Sequence, residues 1–310
     1  MAATSLEAYE KTTLMTYPKG RPARWVGLLA GAASLLSPGA LLAANAADQL
    51  YERTLMTAAD GRCQLFAPAI GSALDAARAQ ARGATLRSGA SQAQVEAVEQ
   101  RARSKAASTN CASKDLTTAA VRVRSAFEAY KSMQRITYPG DVAAWQAERA
   151  LSATIPLWRL SQPSSFGADR LIFGLAGRAN TKAMIAVVTF ADNAQPYAAR
   201  VVMRDPARTQ GPYIDARGGR NLSAKVAPRS ASQVFNAEAR ESASVTLLPT
   251  GAKTGTAFRF PMTAADAMSK LDPREAVTIE FSFAGRAGSD QVRKAYVEVG
   301  DFAAGRAFLR

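Results

Sequence analysis

The sequence predicts an α+β fold: an N-terminal antiparallel helical hairpin or bundle, then a mostly antiparallel β-sandwich or partly open barrel with one or two short helices. Three observations carry this. Residues 64–136 are alanine-rich and place apolar residues at helical intervals. Residues 157–300 fall into β-branched and aromatic runs separated by Gly, Pro, Asn and Asp. The change of character near residue 150 separates the two regions. The domain reading is therefore a signal peptide at 1–46, a helical domain at 47–150 and a β-rich domain at 151–310.

The signal peptide is read from three parts in order. A basic stretch (Lys19, Arg21, Arg24) precedes the apolar run 25–46, which ends on Ala44-Asn45-Ala46, a small-x-small cleavage pattern. Pro38-Gly39 should break the apolar helix just before the cut. Met15 offers a cleaner start than Met1, because Glu7 and Glu10 then fall outside the signal. Once this segment is cleaved, no stable transmembrane span is expected.

In the helical region, Ile70, Leu74, Ala77 and Ala81 share one helix face. Ser88-Gly89 should end that helix, and Ser91 should cap a second one holding Val95, Val98 and Ala102. Leu116, Ala120, Val123, Phe127 and Tyr130 step by four and three, the stripe of a third helix, which Thr137-Tyr138-Pro139-Gly140 should stop. Cys63 precedes the first of these helices and Cys111 follows the second, so an antiparallel hairpin brings them together as a disulfide.

Strands are predicted at 157–162, 170–177, 183–191, 197–204, 243–249, 256–261, 276–284 and 292–299. Val277, Ile279, Phe281 and Phe283 alternate with Thr278, Glu280 and Ser282, which should be the wet face. Two hairpins are expected, 183–204 turning at Asp192-Asn193 and 243–260 turning around Gly251. Thr263, with Asp266 three residues on, should cap a helix at 264–271, and Asp301 should cap a last helix from Phe302 to Leu309. The polar, Pro- and Gly-punctuated stretch 205–240 reads as a long loop.

The side-chain inventory excludes several chemistries. The chain has 310 residues and no histidine, so Ser-His-Asp and Cys-His nucleophilic sites and histidine ligands are absent. Two cysteines cannot form a Cys₄ zinc site. No cofactor motif, P-loop or calcium loop occurs. Lys253-Thr254-Gly255-Thr256 resembles the KTG motif of penicillin-binding proteins and serine β-lactamases, and Ser108-Thr109-Asn110 their S-x-N element. The resemblance stops there, because no serine has a lysine three residues later; the KTG is more simply a turn. Asn221-Leu222-Ser223 fits a glycosylation sequon. Asp290, Glu298, Asp301, Glu275 and Glu280 are the carboxylates from which a hydrolytic pair would have to come.

Charge is the remaining signal. Lysine and arginine total 39 against 25 acidic residues, a net charge of +14. Residues 1–46 hold four basic and two acidic residues, so their removal leaves +12. Arg200 and Arg204 share a strand face, and Arg208, Arg217 and Arg220 follow, with Lys225 and Arg229 beyond; together they form the candidate binding patch. The expectation is a periplasmic or secreted, non-catalytic, envelope-associated binding or scaffold protein with a basic surface. Its partner would be an anionic envelope polymer, a lipid head group or an acidic protein face; export argues against nucleic acid. The alternatives are a carboxylate-dependent hydrolase of envelope polysaccharide and an accessory subunit of a secretion or surface-assembly machine.

Overall fold

Four helices open the described chain: α1 (Pro38–Cys63), α2 (Pro68–Arg87), α3 (Gln92–Ser108) and α4 (Lys114–Phe127). The computed structural model describes residues 38–179, 181–209, 211–214, 219–285 and 289–310. These described residues form one compact unit. Of the segment read as the signal, residues 1–37 lie outside the described residues. Pro38 begins α1 instead of breaking a helix, and α1 continues through Ala44-Asn45-Ala46 to Cys63. Proline suits a first helical turn, where its missing N–H would have no partner anyway.

The helical region is thus a bundle built on α1. Leu50 of α1 meets Ala81 and Leu86 of α2 and Val95 of α3. Further along, Met56 and Ala59 of α1 meet Leu74, Ala106, Leu116 and Ala120 of the other three helices. Helix α2 buries Ile70, Leu74, Ala77 and Ala81, the predicted face, and Gly89 follows it at φ +102°. Ser91 caps α3 in a reciprocal capping box with Gln94 (3.2 and 2.7 Å). Cys63 is the last residue of α1, not a residue ahead of the first helix. It bonds Cys111 with a Cα–Cα distance of 5.6 Å, so the bridge ties the end of α1 to the α3–α4 loop. Helix α4 ends at Phe127; a 3₁₀ turn, Ala129–Ser132, follows and buries Tyr130.

The strands are β1 (Arg135–Tyr138), β2 (Trp145–Glu148), β3 (Leu157–Phe166), β4 (Asp169–Arg178), β5 (Thr181–Thr189), β6 (Ala198–Arg204), β7 (Ser232–Asn236), β8 (Ala239–Ser242), β9 (Thr256–Phe260), β10 (Ala276–Phe283) and β11 (Gln291–Glu298). They form a seven-stranded sheet, β1-β2-β3-β4-β5-β9-β8, and a four-stranded sheet, β11-β10-β6-β7, with antiparallel pairing throughout. The two sheets enclose one core, and the fold is a sandwich. Phe281 of the small sheet lies 6.1, 5.5 and 5.8 Å (ring centroids) from Phe166, Phe190 and Phe258 around the large one. Helices α5 (Met262–Met268) and α6 (Phe302–Phe308) add Met268, Phe302 and Phe308 to the same core.

Several expectations fail for identifiable reasons. The Asp192-Asn193 turn is a crossover, because β5 belongs to the large sheet and β6 to the small one. Arg293 pins this crossover by pairing with Asp192 and Asp169 while lying over Phe190 and Phe283 (5.3 and 4.9 Å). Residues 245–247 form a 3₁₀ turn; β9 pairs with β5 and with β8, which starts at the end of the supposed loop 205–240, and β7 lies within that loop. Thr137 and Tyr138 belong to β1, so the large sheet starts ahead of residue 150. Thr263 lies inside α5, whose N-cap is Pro261. The Asp301 side chain does not cap α6; it accepts both Nη groups of Arg87 at 2.7 and 3.0 Å. Thr278 and Glu280 are buried, not wet, because the small sheet's outer face is partly covered.

The disulfide closes a separation of 48 residues, so its loss should destabilise by up to about 4 kcal/mol on chain-entropy grounds. Replacing both cysteines by serine should speed hydrogen exchange at the C-terminal turns of α1 and α3 well before it affects β4 and β10. Equal loss of protection in the helices and the sheets would show that the bridge does not act locally.

Candidate functional site

The outer face of the four-stranded sheet carries the candidate site. Its register places Arg200 of β6 and Lys294 of β11 on either side of Glu280 in β10. Arg200 Nε donates to Glu280 at 2.6 Å, Arg229 Nη2 at 3.1 and 3.3 Å, and Lys294 Nζ lies 3.3 Å away. The Glu280 side chain is only 3% exposed, whereas those of Arg229 and Lys294 are 69% and 45% exposed. One buried carboxylate on the outer face therefore holds three cations, two from neighbouring strands and Arg229 from the 3₁₀ turn Arg229–Ala231, and their charge exceeds its own by two. Burial pushes the Glu280 carboxyl up, but the Arg200 hydrogen bond and the surrounding charges outweigh it and hold the group below its usual range.

The five arginines read from the sequence divide. Arg200 belongs to the ring. Arg204 shares its strand face but is buried, with Nε and Nη2 on the two oxygens of Glu275 at 2.6 and 2.9 Å. It is a structural cation and leaves the binding set. Arg208 is exposed and pairs with Asp205 at 3.1 Å. Arg217 lies outside the described residues. Arg220 is exposed and lines a separate cleft of about 360 Å³ with Ser164, Asn221 and Tyr296. Lys225 is buried in the short 3₁₀ helix Leu222–Lys225. Lys294 was missed because its place depends on the pairing of β10 with β11.

The candidate carboxylates are engaged elsewhere. Glu298 accepts the backbone N–H groups of Asp141, Val142 and Ala143 at 2.7, 2.9 and 2.7 Å. Asp301 holds Arg87, and burial raises its carboxyl above the usual range although Arg87 opposes this. Asp290 accepts from the Tyr197 hydroxyl at 2.5 Å. Lys253-Thr254-Gly255-Thr256 forms the lead into β9, and Thr254, Gly255 and Thr256 line a polar cleft of about 370 Å³ with Asn193, Gln195 and Arg240. Glu241 is the one carboxylate among that cleft's described lining, and it pairs with Arg259 at 3.2 Å. Asn221 of the sequon accepts from the backbone N–H and the hydroxyl of Ser223 (3.1 and 2.9 Å). Among the described residues, no group of three or more His, Cys, Asp or Glu is placed to hold a metal, and no helix is long and apolar enough to cross a membrane. No protein-family model, curated protein or solved structure matches the chain.

Removing one partner of the buried Arg204–Glu275 pair, as in Arg204→Ala, should cost about 3–5 kcal/mol because a lone buried charge remains. Arg229→Gln, at an exposed position, should cost less than about 1 kcal/mol. Equal costs in urea unfolding would contradict this division between structural and surface arginines.

A pH dependence follows as well. Glu280 has a depressed pKa in the folded state, so its contribution is present above the ordinary glutamate range and is lost as pH falls below about 4.5. Glu280→Gln should flatten that part of the stability–pH curve; an unchanged slope would show that the ring does not hold the carboxylate ionised.

Proposed function

We propose that this chain is an exported, envelope-associated binding or scaffold protein that holds an anionic polymer on the outer face of its four-stranded sheet. The carrying observation is the charge imbalance at Glu280: three cations converge on one buried carboxylate. Strand pairing fixes Arg200 and Lys294 on either side of Glu280, and the Glu280 carboxylate orients all three cations, which lowers the entropic cost of binding. Export is supported by the basic–apolar–small run at the N-terminus and by a disulfide, which persists in oxidising compartments. Cleavage after Ala46 would spare the bundle contacts, since Leu50 is the first buried residue among the described side chains of α1. Hydrolysis by paired carboxylates is less well supported, because Glu298 and Asp301 face inward onto backbone and arginine.

One observation favours the accessory-subunit reading. Leu151, Ile155 and Val245 are exposed apolar side chains on two segments that meet where Thr246 Oγ1 donates to the Pro156 carbonyl at 2.6 Å. Such a patch suits protein contact.

The test is retention on an immobilised acidic polysaccharide by wild type and by Arg229→Glu/Lys294→Glu. Wild type should bind, with affinity falling as salt rises, because exposed charges are screened over about 8 Å at physiological ionic strength. The variant should lose at least tenfold in affinity while keeping its fold. Equal, salt-independent retention of both proteins would overturn the reading. Retention on anionic vesicles alone would reassign the partner to a lipid surface.

A further inference from the structure

The polar cleft of about 370 Å³ beside β8 lies apart from the Glu280 face, and strand register sets which side chains line it. Arg240 of β8 lies opposite Phe258 of β9, which lies opposite Ala186 of β5. Ser242 lies opposite Thr256, and Thr256 lies opposite Val188. Residues paired directly across strands project to the same face of a sheet. Phe258, Ala186 and Val188 belong to the core between the two sheets, so Arg240, Ser242 and Thr256 sit on that inner face. At the β8 edge the inner face therefore carries a guanidinium and two hydroxyls in line with apolar core residues. Glu241, the next residue along β8, projects to the opposite face, where Arg259 takes it at 3.2 Å.

The facing wall is the crossover between β5 and β6, and it is held in place. The Ala191 N–H donates to Asp169 Oδ1 at 2.9 Å, the Ala194 N–H donates to Asp192 Oδ1 at 3.1 Å, and Arg293 joins the two carboxylates. Across the cleft, Gln195 Oε1 accepts from Arg240 Nη2 and from Thr256 Oγ1, each at 3.4 Å, beyond the usual hydrogen-bond range. Among the described residues this long contact is the one hydrogen bond of the Arg240 side chain, and no carboxylate lies within ion-pairing distance of it. The Asn193 carboxamide and the Ser242 hydroxyl line the same cleft and have no protein partner among the described residues. The cleft thus sets one uncompensated cation beside unsatisfied neutral groups that donate and accept hydrogen bonds.

We propose that this cleft binds a hydroxyl-rich monocarboxylate, a hexuronate sugar unit, with its carboxylate on Arg240 and its hydroxyls on Asn193, Gln195, Ser242 and Thr256. A carboxylate would replace the long amide contact of Arg240 with paired, charge-assisted bonds, which are roughly twice as strong as neutral ones. Sugar hydroxyls both donate and accept, and so do the carboxamides and hydroxyls that line the cleft. A small anion without hydroxyls would leave those groups unused, and a neutral sugar would leave Arg240 unpaired. The volume falls in the range of small-molecule sites, about 300–1,000 Å³. A wall already held by Asp169, Asp192 and Arg293 needs little ordering on binding. The cleft shares no residue with the Glu280 face, and the inference does not depend on the polymer-binding reading.

The experiment follows the backbone amide signals of the intact chain by NMR during titration with glucuronate, glucose and acetate. With glucuronate, wild type should show saturable shifts at Asn193, Gln195, Arg240 and Ser242; glucose and acetate should bind at least tenfold more weakly. Arg240→Gln, at an exposed side chain, should weaken glucuronate at least tenfold. Arg229→Glu/Lys294→Glu should leave the glucuronate titration unchanged. If Arg240→Gln alters the fold, Asn193→Gly decides, because glycine keeps the φ of +57° there and removes only the side chain; it should weaken glucuronate at least threefold. Acetate binding as tightly as glucuronate would mark a site for any carboxylate, and glucose binding as tightly would mark a neutral-sugar site; either result would overturn the proposal. So would the absence of saturable shifts in wild type, or an unchanged affinity in Arg240→Gln. Failure of the polysaccharide test on the Glu280 face would leave this result standing.

Discussion

The Glu298 carboxylate is the point on which the three layers of this molecule converge. It ends β11, the edge strand of the small sheet, yet its oxygens are taken by three successive backbone N–H groups in the loop before β2 of the large sheet. Around it, Trp145 Nε1 donates to the Glu298 and Val299 carbonyls at 3.2 and 3.0 Å, and the Gln162 amide both accepts from the Glu298 N–H and donates to its carbonyl at 2.8 and 3.2 Å. Three residues on, Asp301 takes Arg87 of α2. The close approach needs glycine at two places: a Cβ at Gly140 would lie 2.6 Å from Glu298 Oε2, and one at Gly83 would lie 2.4 Å from Asp301 Oδ1. An ionised group accepting several N–H bonds is well satisfied without water, and leaving it unpaired would be costly. This corner therefore fixes how the last strand, the last helix and the bundle meet.

The same economy of carboxylates shapes the surface. Glu275, Glu280, Glu298 and Asp301 are all buried, each with an arginine, lysine or backbone partner. A chain with 39 basic and 25 acidic residues that places acids inside leaves cations outside. The surplus is not spread evenly: it is concentrated where several cations share one acid, at Glu280. Arg204, which sequence alone cannot tell from Arg200, belongs to the interior.

Local patterns carried much of the fold. The face of α2, the cap at Ser91, the alternation of Val277, Ile279, Phe281 and Phe283, and the cysteine pair were all legible, because each depends on spacing within one segment. What failed depended on which strand lies beside which. The turn at Asp192-Asn193 has hairpin chemistry, yet the chain passes there between sheets. The short strands β7 and β8 are too polar to announce themselves, since each has an edge position and an exposed side. Helix α1 was hidden because its first turns also fit a secretory signal. Of the candidate face, Arg200 and Arg229 were legible as basic residues, but their convergence on Glu280 with Lys294 required the order β11-β10-β6, which no local pattern encodes.

Native-state hydrogen exchange at the amides of Asp141, Val142 and Ala143 tests the central structural claim most directly. These residues lie in a loop, where unbonded amides exchange rapidly. If the Glu298 carboxylate joins the layers, all three should exchange as slowly as the central amides of β3 and β4, and Glu298→Gln should release them together. Exchange at ordinary loop rates in the wild-type protein would contradict the account.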